Sequence, residues 1–133
     1  MDDDINQTGI TALERLANIP DHIEEKELFA NRSLAVLRRL KEMGLLVKDD
    51  SERYELLHIV CRQKYFSEEK FRFFLDWDPD QLTVLDSIGR TPLTCAAWWS
   101  TIEGFQAVFE AGIRYLSEAK GSQLLFRHFG HNL

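Results

Sequence analysis

The chain has 133 residues, of which 44% are hydrophobic and 11% aromatic, so it suits one globular domain and is too apolar for a disordered chain. A formal net charge of −6 disfavours a nucleic-acid phosphate backbone as its main ligand. The acidic N-terminus has no apolar run after it, and no stretch is as long as a membrane span. Two cysteines are too few for a disulfide framework. We therefore expect a cytoplasmic domain that contacts no membrane.

The first predicted unit covers residues 6–44 and contains two helices. A turn motif followed by Thr11, a residue that can cap a helix, predicts the first helix over residues 11–17. Leucines at helical spacing predict the second helix over residues 33–43, and Gly44 is expected to end it.

An insertion separates these two helices at residues 18–32. Asp21 and Glu24 have the spacing of a capping box, which predicts either an extra helical turn or a longer second helix. A basic stretch from Arg32 to Lys41 overlaps the second helix. We interpret it as the solvated face of that helix, because the chain as a whole is acidic.

The second predicted unit covers residues 45–85. An apolar run around His58 predicts a helix over residues 55–63, and aromatic residues spaced i, i+3, i+4 predict another over residues 68–76. Pro79 is expected to stop this second helix, since proline cannot continue one.

The third predicted unit, residues 86–118, has the most regular pattern. Asp86 and Gly89 have the spacing of a tight turn, so we expect Gly89 to adopt a positive φ. Thr91 and the proline after it predict a capped helix over residues 92–99.

A second helix is expected in this unit over residues 102–111, with a left-handed C-cap at Gly112. Its apolar stripe occupies the same repeat positions as that of the second unit. The two stripes are Phe105, Val108, Phe109 and Phe71, Phe74, Leu75. This agreement of phase indicates an internal repeat.

The pattern of residues 86–113 resembles the ankyrin repeat, which begins D-x-x-G-x-T-P-L-H-x-A-A. The match has no gap, and Thr94 stands where the family usually has histidine. The resemblance implies an all-α fold, a short right-handed solenoid of helix-turn-helix repeats. It also implies a partial cap or truncated repeat at residues 119–133.

No set of residues has the pattern of a catalytic, cofactor or metal site. His58 and Cys61 lie one helical turn apart but lack a third member, and the resemblance implies that His58 bonds the backbone of the preceding loop. Cys61 and Cys95 are expected to be small buried hydrophobes. His128 and His131 are too few for a zinc site. We therefore expect no cofactor, no metal and no enzymatic activity.

The resemblance implies a protein-binding surface made of hairpin tips and first helices. Adjacent tryptophans on a helix point about 100° apart, so we expect one to be exposed for binding, with the other either packed or exposed. The predicted binding residues are Ser87, Ile88, Arg90, Trp98 and Trp99 in the third unit, and Tyr54, Arg62 and Gln63 in the second.

The expected function is therefore non-enzymatic binding of a protein partner by a monomer. The alternative is a regulatory or substrate-binding part of a larger enzyme whose catalytic region is not in this chain. Nucleic-acid binding has only the basic stretch of the first unit in its favour.

Overall fold

The computed structural model describes residues 11–116 of the chain. Over that range the chain is helical, with no strand, so the prediction of an all-α fold is confirmed. A 3-10 helix, Pro79–Thr83, lies between the fifth and sixth α-helices. The α-helices are α1 (Ala12–Ala17), α2 (Lys26–Glu42), α3 (Lys48–Arg53), α4 (Leu56–Cys61), α5 (Glu68–Trp77), α6 (Pro92–Trp99) and α7 (Ile102–Leu116).

Threonine side chains start two of the predicted helices. Thr11 Oγ1 accepts a hydrogen bond from the Glu14 N–H (3.2 Å), and the Thr11 N–H donates to the Glu14 carboxylate (2.8 Å), which completes a capping box. Thr91 Oγ1 accepts from the Thr94 N–H (3.3 Å), with Pro92 at the first helical position. Both predicted caps are confirmed, and they fix the residues at which α1 and α6 begin.

Helix α2 begins earlier than predicted, at Lys26 rather than at residue 33. The predicted capping box of Asp21 and Glu24 is wrong, because residues 18–25 form a loop and α2 has no side-chain cap. The insertion instead lengthens the second helix, which is one of its two predicted forms. Gly44 follows the helix at φ +73° and ends it as predicted. The Gly44 N–H donates to the Lys41 carbonyl and the Leu45 N–H to the Leu40 carbonyl, each at 3.0 Å.

The structure adds two short elements that the sequence patterns do not predict. Helix α3 carries Asp49 and Asp50 in its first turn, where negative charge interacts favourably with the helix dipole. Pro79 follows α5 closely, as predicted, and then starts the 3-10 helix, because the first position of a helix needs no N–H donor.

The predicted C-cap at Gly112 is wrong, since that glycine lacks a positive φ and α7 continues to Leu116.

Helix α4 is the central element of the packing. All six of its residues are buried, and it contacts α1, α3, α5, α6 and α7. Further contacts join α1 to α2, α2 to α5, and α6 to α7. The basic side chains of α2 between positions 32 and 41 are exposed, as predicted. Buried core residues include Leu34, Leu37, Leu57, Val60, Cys61, Phe71, Phe74, Leu75, Leu93, Cys95 and Val108.

Part of the predicted organisation lies outside the described residues. This is the case for the opening turn of the first unit, and for residues 119–133 with His128 and His131. Between residues 11 and 116, no helix combines the length and the apolar character needed to cross a lipid bilayer.

Candidate functional site

The turn before α6 is built around the carboxylate of Asp86. Its Oδ1 accepts hydrogen bonds from the N–H groups of Ile88 (3.0 Å) and Arg90 (2.8 Å). The Gly89 N–H donates to the Asp86 carbonyl (2.9 Å), and Gly89 has the predicted positive φ, +93°. With the turn held from inside, Ser87 and Ile88 are exposed at its tip, and Ile88 is 72% exposed.

Two neighbouring groups hold this turn in place. His58, buried in α4, places Nε2 2.8 Å from the carbonyl oxygen of Val84. Burial lowers the pKa of His58, so the ring is neutral at neutral pH and Nε2–H donates to that carbonyl. The predicted backbone bond exists, but it reaches the segment that follows His58 in the chain rather than the preceding loop.

Arg90 links the turn to the end of α6. Its Nε lies 3.3 Å from Asp86 Oδ2, and its guanidinium carbon lies 4.4 Å from the centre of the Trp99 ring. Burial opposes the ionisation of Asp86, but the backbone hydrogen bonds from Arg90 and Ile88 and the Arg90 charge outweigh it and lower the pKa of Asp86. The carboxylate therefore stays ionised, and the Arg90 guanidinium lies over the indole ring of Trp99.

Both tryptophans at the end of α6 are exposed. Trp98 is 71% exposed and Trp99 39%, and their ring centres lie 6.0 Å apart. The first five residues of α6, from Pro92 to Ala96, are buried, so the helix enters the core at its start and leaves it at its last turn. The prediction of at least one exposed indole is confirmed, and of the two alternatives for the other indole the structure shows the exposed one.

An open groove of about 360 Å³ begins beside Trp99. Its other walls are the loop after α1 and the segment after α4, and its lining residues are Asn18, Ile19, Pro20, Asp21, Arg62, Gln63, Lys64 and Trp99. Gln63 joins the two walls, since its Oε1 accepts from the Ile19 N–H (2.6 Å) and its Nε2 donates to Asn18 Oδ1 (2.7 Å). The groove is therefore fixed in width by Gln63.

The structure brings most of the predicted binding residues together. Arg62, Gln63 and Trp99 line the groove, while Arg90 and Trp98 contact Trp99. Ser87 and Ile88 lie on the turn that Arg90 closes.

Tyr54 is the exception among the predicted binding residues. It does not line the groove; it follows α3 and packs against the core. The groove wall at residues 18–21 is not predicted by the sequence, which locates an insertion there but does not show what it faces. Pro20 is the signal that could have indicated a loop at this point.

The two cysteines of the described range lie in α4 and α6, and both are buried. Burial raises the pKa of the Cys61 thiol well above its ordinary value and that of Cys95 to about 12, so neither is a nucleophile at neutral pH. Among residues 11–116, no cluster of histidine, cysteine or carboxylate side chains is placed to hold a metal ion. No protein-family model matches the chain, and no curated protein or solved structure matches it either.

Proposed function

We propose that this chain is a non-enzymatic interaction module, a short solenoid of ankyrin-like hairpins that binds a protein partner. The binding surface is formed by Ile88, Arg90, Trp98 and Trp99, which we call the indole surface. One observation carries the proposal: two large aromatic side chains, Trp98 and Trp99, are exposed with their ring centres 6.0 Å apart. Ile88 is exposed on the turn whose Arg90 contacts Trp99. Exposed apolar groups of this size mark interfaces, and tryptophan is enriched among the residues that dominate binding energy.

The helix contacts support the hairpin arrangement. In a solenoid each unit contacts its neighbours in chain order. Here the first helices of successive units contact each other, α1 with α4 and α4 with α6. Each first helix also contacts the second helix of its own unit, which is α2, α5 or α7. The extra helix α3 and the long α2 fit this arrangement as additions between units.

Part of the indole surface is held in place by contacts within the chain. Arg90 is fixed by Asp86 and stacks on Trp99, and the turn that carries Ile88 is closed by backbone hydrogen bonds. A preorganised surface loses less conformational entropy on binding, so more of its contact energy appears as affinity.

Peptide selection against the folded chain tests this function. Random peptides displayed on phage would be selected on the wild type, and the dissociation constants of the enriched peptides measured on Trp98→Ala. We expect a loss of affinity of about thirtyfold, near 2 kcal/mol, while the free energy of unfolding changes by less than about 1 kcal/mol.

Val36→Ala is the matched control, because Val36 is also an exposed apolar residue but lies on α2. It should leave peptide affinity unchanged. Unaltered binding by Trp98→Ala, or a loss of stability as large as the loss of binding, would contradict the proposal.

A further inference from the structure

We propose that the partner supplies an acidic segment with one large apolar side chain, its carboxylates meeting Arg62 and Lys64 and its apolar side chain meeting Trp98 and Trp99. This inference rests on the proposed function and specifies the chemistry of the ligand. The apolar and the charged parts adjoin, because Trp99 both lines the groove and contacts Trp98.

The groove carries unpaired positive charge in an acidic protein. Arg62 and Lys64 line it, and neither forms an ion pair with another residue of the described range. Asp21 is the carboxylate among the lining residues. Two cations and one anion thus give this groove a local positive charge, although the net charge of the chain is −6. Charge complementarity therefore favours a ligand with carboxylates.

Two side chains at the site already form hydrogen bonds within the chain, Gln63 in the groove and Arg90 beside it. Both ends of the Gln63 amide are hydrogen-bonded, to the Ile19 N–H and to Asn18 Oδ1. Arg90 uses its Nε for Asp86, and its terminal nitrogens form no hydrogen bond with a residue between 11 and 116. The donors that Arg62 and Lys64 offer to a ligand are cationic, and a carboxylate is the protein group with which they form charge-assisted hydrogen bonds.

A peptide fits these observations better than a nucleic acid does. Nucleic-acid affinity grows with the number of phosphates that lysine and arginine neutralise, and this groove offers few such side chains. A long polyanion would also be repelled by the acidic remainder of the chain. A short segment with two or three carboxylates needs only the cations present.

A set of three synthetic peptides tests the charge assignment on the whole chain. Each has a central phenylalanine, flanked by glutamates in the first, glutamines in the second and lysines in the third. Binding is followed at low salt by chemical-shift changes of backbone amides. We expect the glutamate peptide to bind about tenfold more tightly than the glutamine peptide, with the lysine peptide weakest.

A charge reversal sharpens the test. In the double variant Arg62→Glu, Lys64→Glu the lysine peptide should become the tightest of the three. The matched control is Arg38→Glu, Arg39→Glu, which reverses two exposed charges on α2 and should leave the order unchanged.

The outcomes separate this inference from the function on which it rests. Equal affinity for the glutamate and glutamine peptides, tighter binding of an oligouridylate, or no shift with any of the three peptides would overturn the acidic ligand. If phage-selected peptides still lose affinity on Trp98→Ala, the proposed function stands without it. If no tested peptide depends on Trp98, the proposed function fails as well.

Discussion

Helices α5 and α7 begin in the same way but bury their residues differently. Ser67 Oγ accepts from the Lys70 N–H (3.2 Å), and Thr101 Oγ1 accepts from the Gly104 N–H (3.0 Å), so the same cap precedes both helices. In the next turns, Phe71, Phe74 and Leu75 of α5 are fully buried, whereas Phe105 and Phe109 of α7 are only partly so. Equal sequence patterns therefore do not imply equal burial.

The third position after the capping residue differs between the two helices. In α5 it holds Lys70, which is fully buried, with its ammonium 3.4 Å from the Ala17 carbonyl and 6.0 Å from the centre of the Phe29 ring. In α7 it holds Gly104, where a Cβ atom would meet Ser100 and lie 2.9 Å from Phe66. Helices α1 and α2 cover the middle unit on the side where Lys70 lies, so the middle unit contains the deeper core.

The largest expected effect compares one phenylalanine from each of the two stripes. Phe74→Ala should lower the free energy of unfolding by about 3–5 kcal/mol, because it leaves a cavity in a closed core. Phe105→Ala should cost roughly half as much, since part of this ring is already in contact with water. Chemical denaturation of both variants measures the difference. Equal losses would show that the third unit is as closed as the middle one.

The next effect is the pH dependence that comes from Lys70. Burial lowers the pKa of Lys70 from 10.5 to about 8. Below pH 8 both folded and unfolded chains carry this proton, and folding must bury a charge. Between pH 8 and 10.5 mainly the unfolded chain binds it, so the contribution of Lys70 to the free energy of unfolding rises by about 3 kcal/mol across this window.

The substitution Lys70→Met isolates this contribution. The buried thiols and Tyr65, whose pKa values are raised, act in the opposite direction at alkaline pH, so the difference between wild type and variant is the quantity to follow. The variant should be the more stable below pH 8 and lose this advantage as the pH rises. Lys41→Met, which removes an exposed lysine, is the control. A difference independent of pH would show that Lys70 reaches water.

The smallest effects distinguish two glycines of the third unit. Gly104→Ala should lower stability by about 1–3 kcal/mol, because the new methyl group meets Phe66. Gly89→Ala should cost about 1 kcal/mol for a different reason: its Cβ meets no atom, but its φ is +93°. Asparagine tolerates this conformation, so Gly89→Asn should cost less than Gly89→Ala, while Gly104→Asn should cost more than Gly104→Ala. Thermal unfolding of the four variants checks whether alanine and asparagine rank in opposite order of stability at the two positions.

The features that could be predicted from the sequence are those decided within a few residues. The caps at Thr11 and Thr91 and the turn at Gly89 each depend on hydrogen bonds between residues at most four positions apart. The start of α4 lacks such a signal, because it follows Glu55, a non-glycine residue at φ +53° with no side-chain cap.

The features that could not be predicted depend on distant contacts. The Lys70 ammonium lies near a carbonyl 53 positions away in the chain. The groove exists because Gln63 bonds residues 44 and 45 positions before it. A local pattern locates the insertion at residues 18–32 but carries no information on which helix it meets. In the candidate site, the two indoles and the turn before α6 could therefore be predicted from the sequence pattern. The groove wall at residues 18–21 could not.

The two buried thiols can be used to measure local opening of the core around α4 and α6. Cys61 lies in α4 and Cys95 in α6, and burial leaves almost no thiolate at neutral pH. A thiol reagent can then modify them only during fluctuations that expose these helices, so the labelling rate under native conditions measures how often that part of the core opens. A cysteine introduced in place of Ile88 would react at once, which allows a fluorophore to be attached beside the indole surface with both native cysteines left in place.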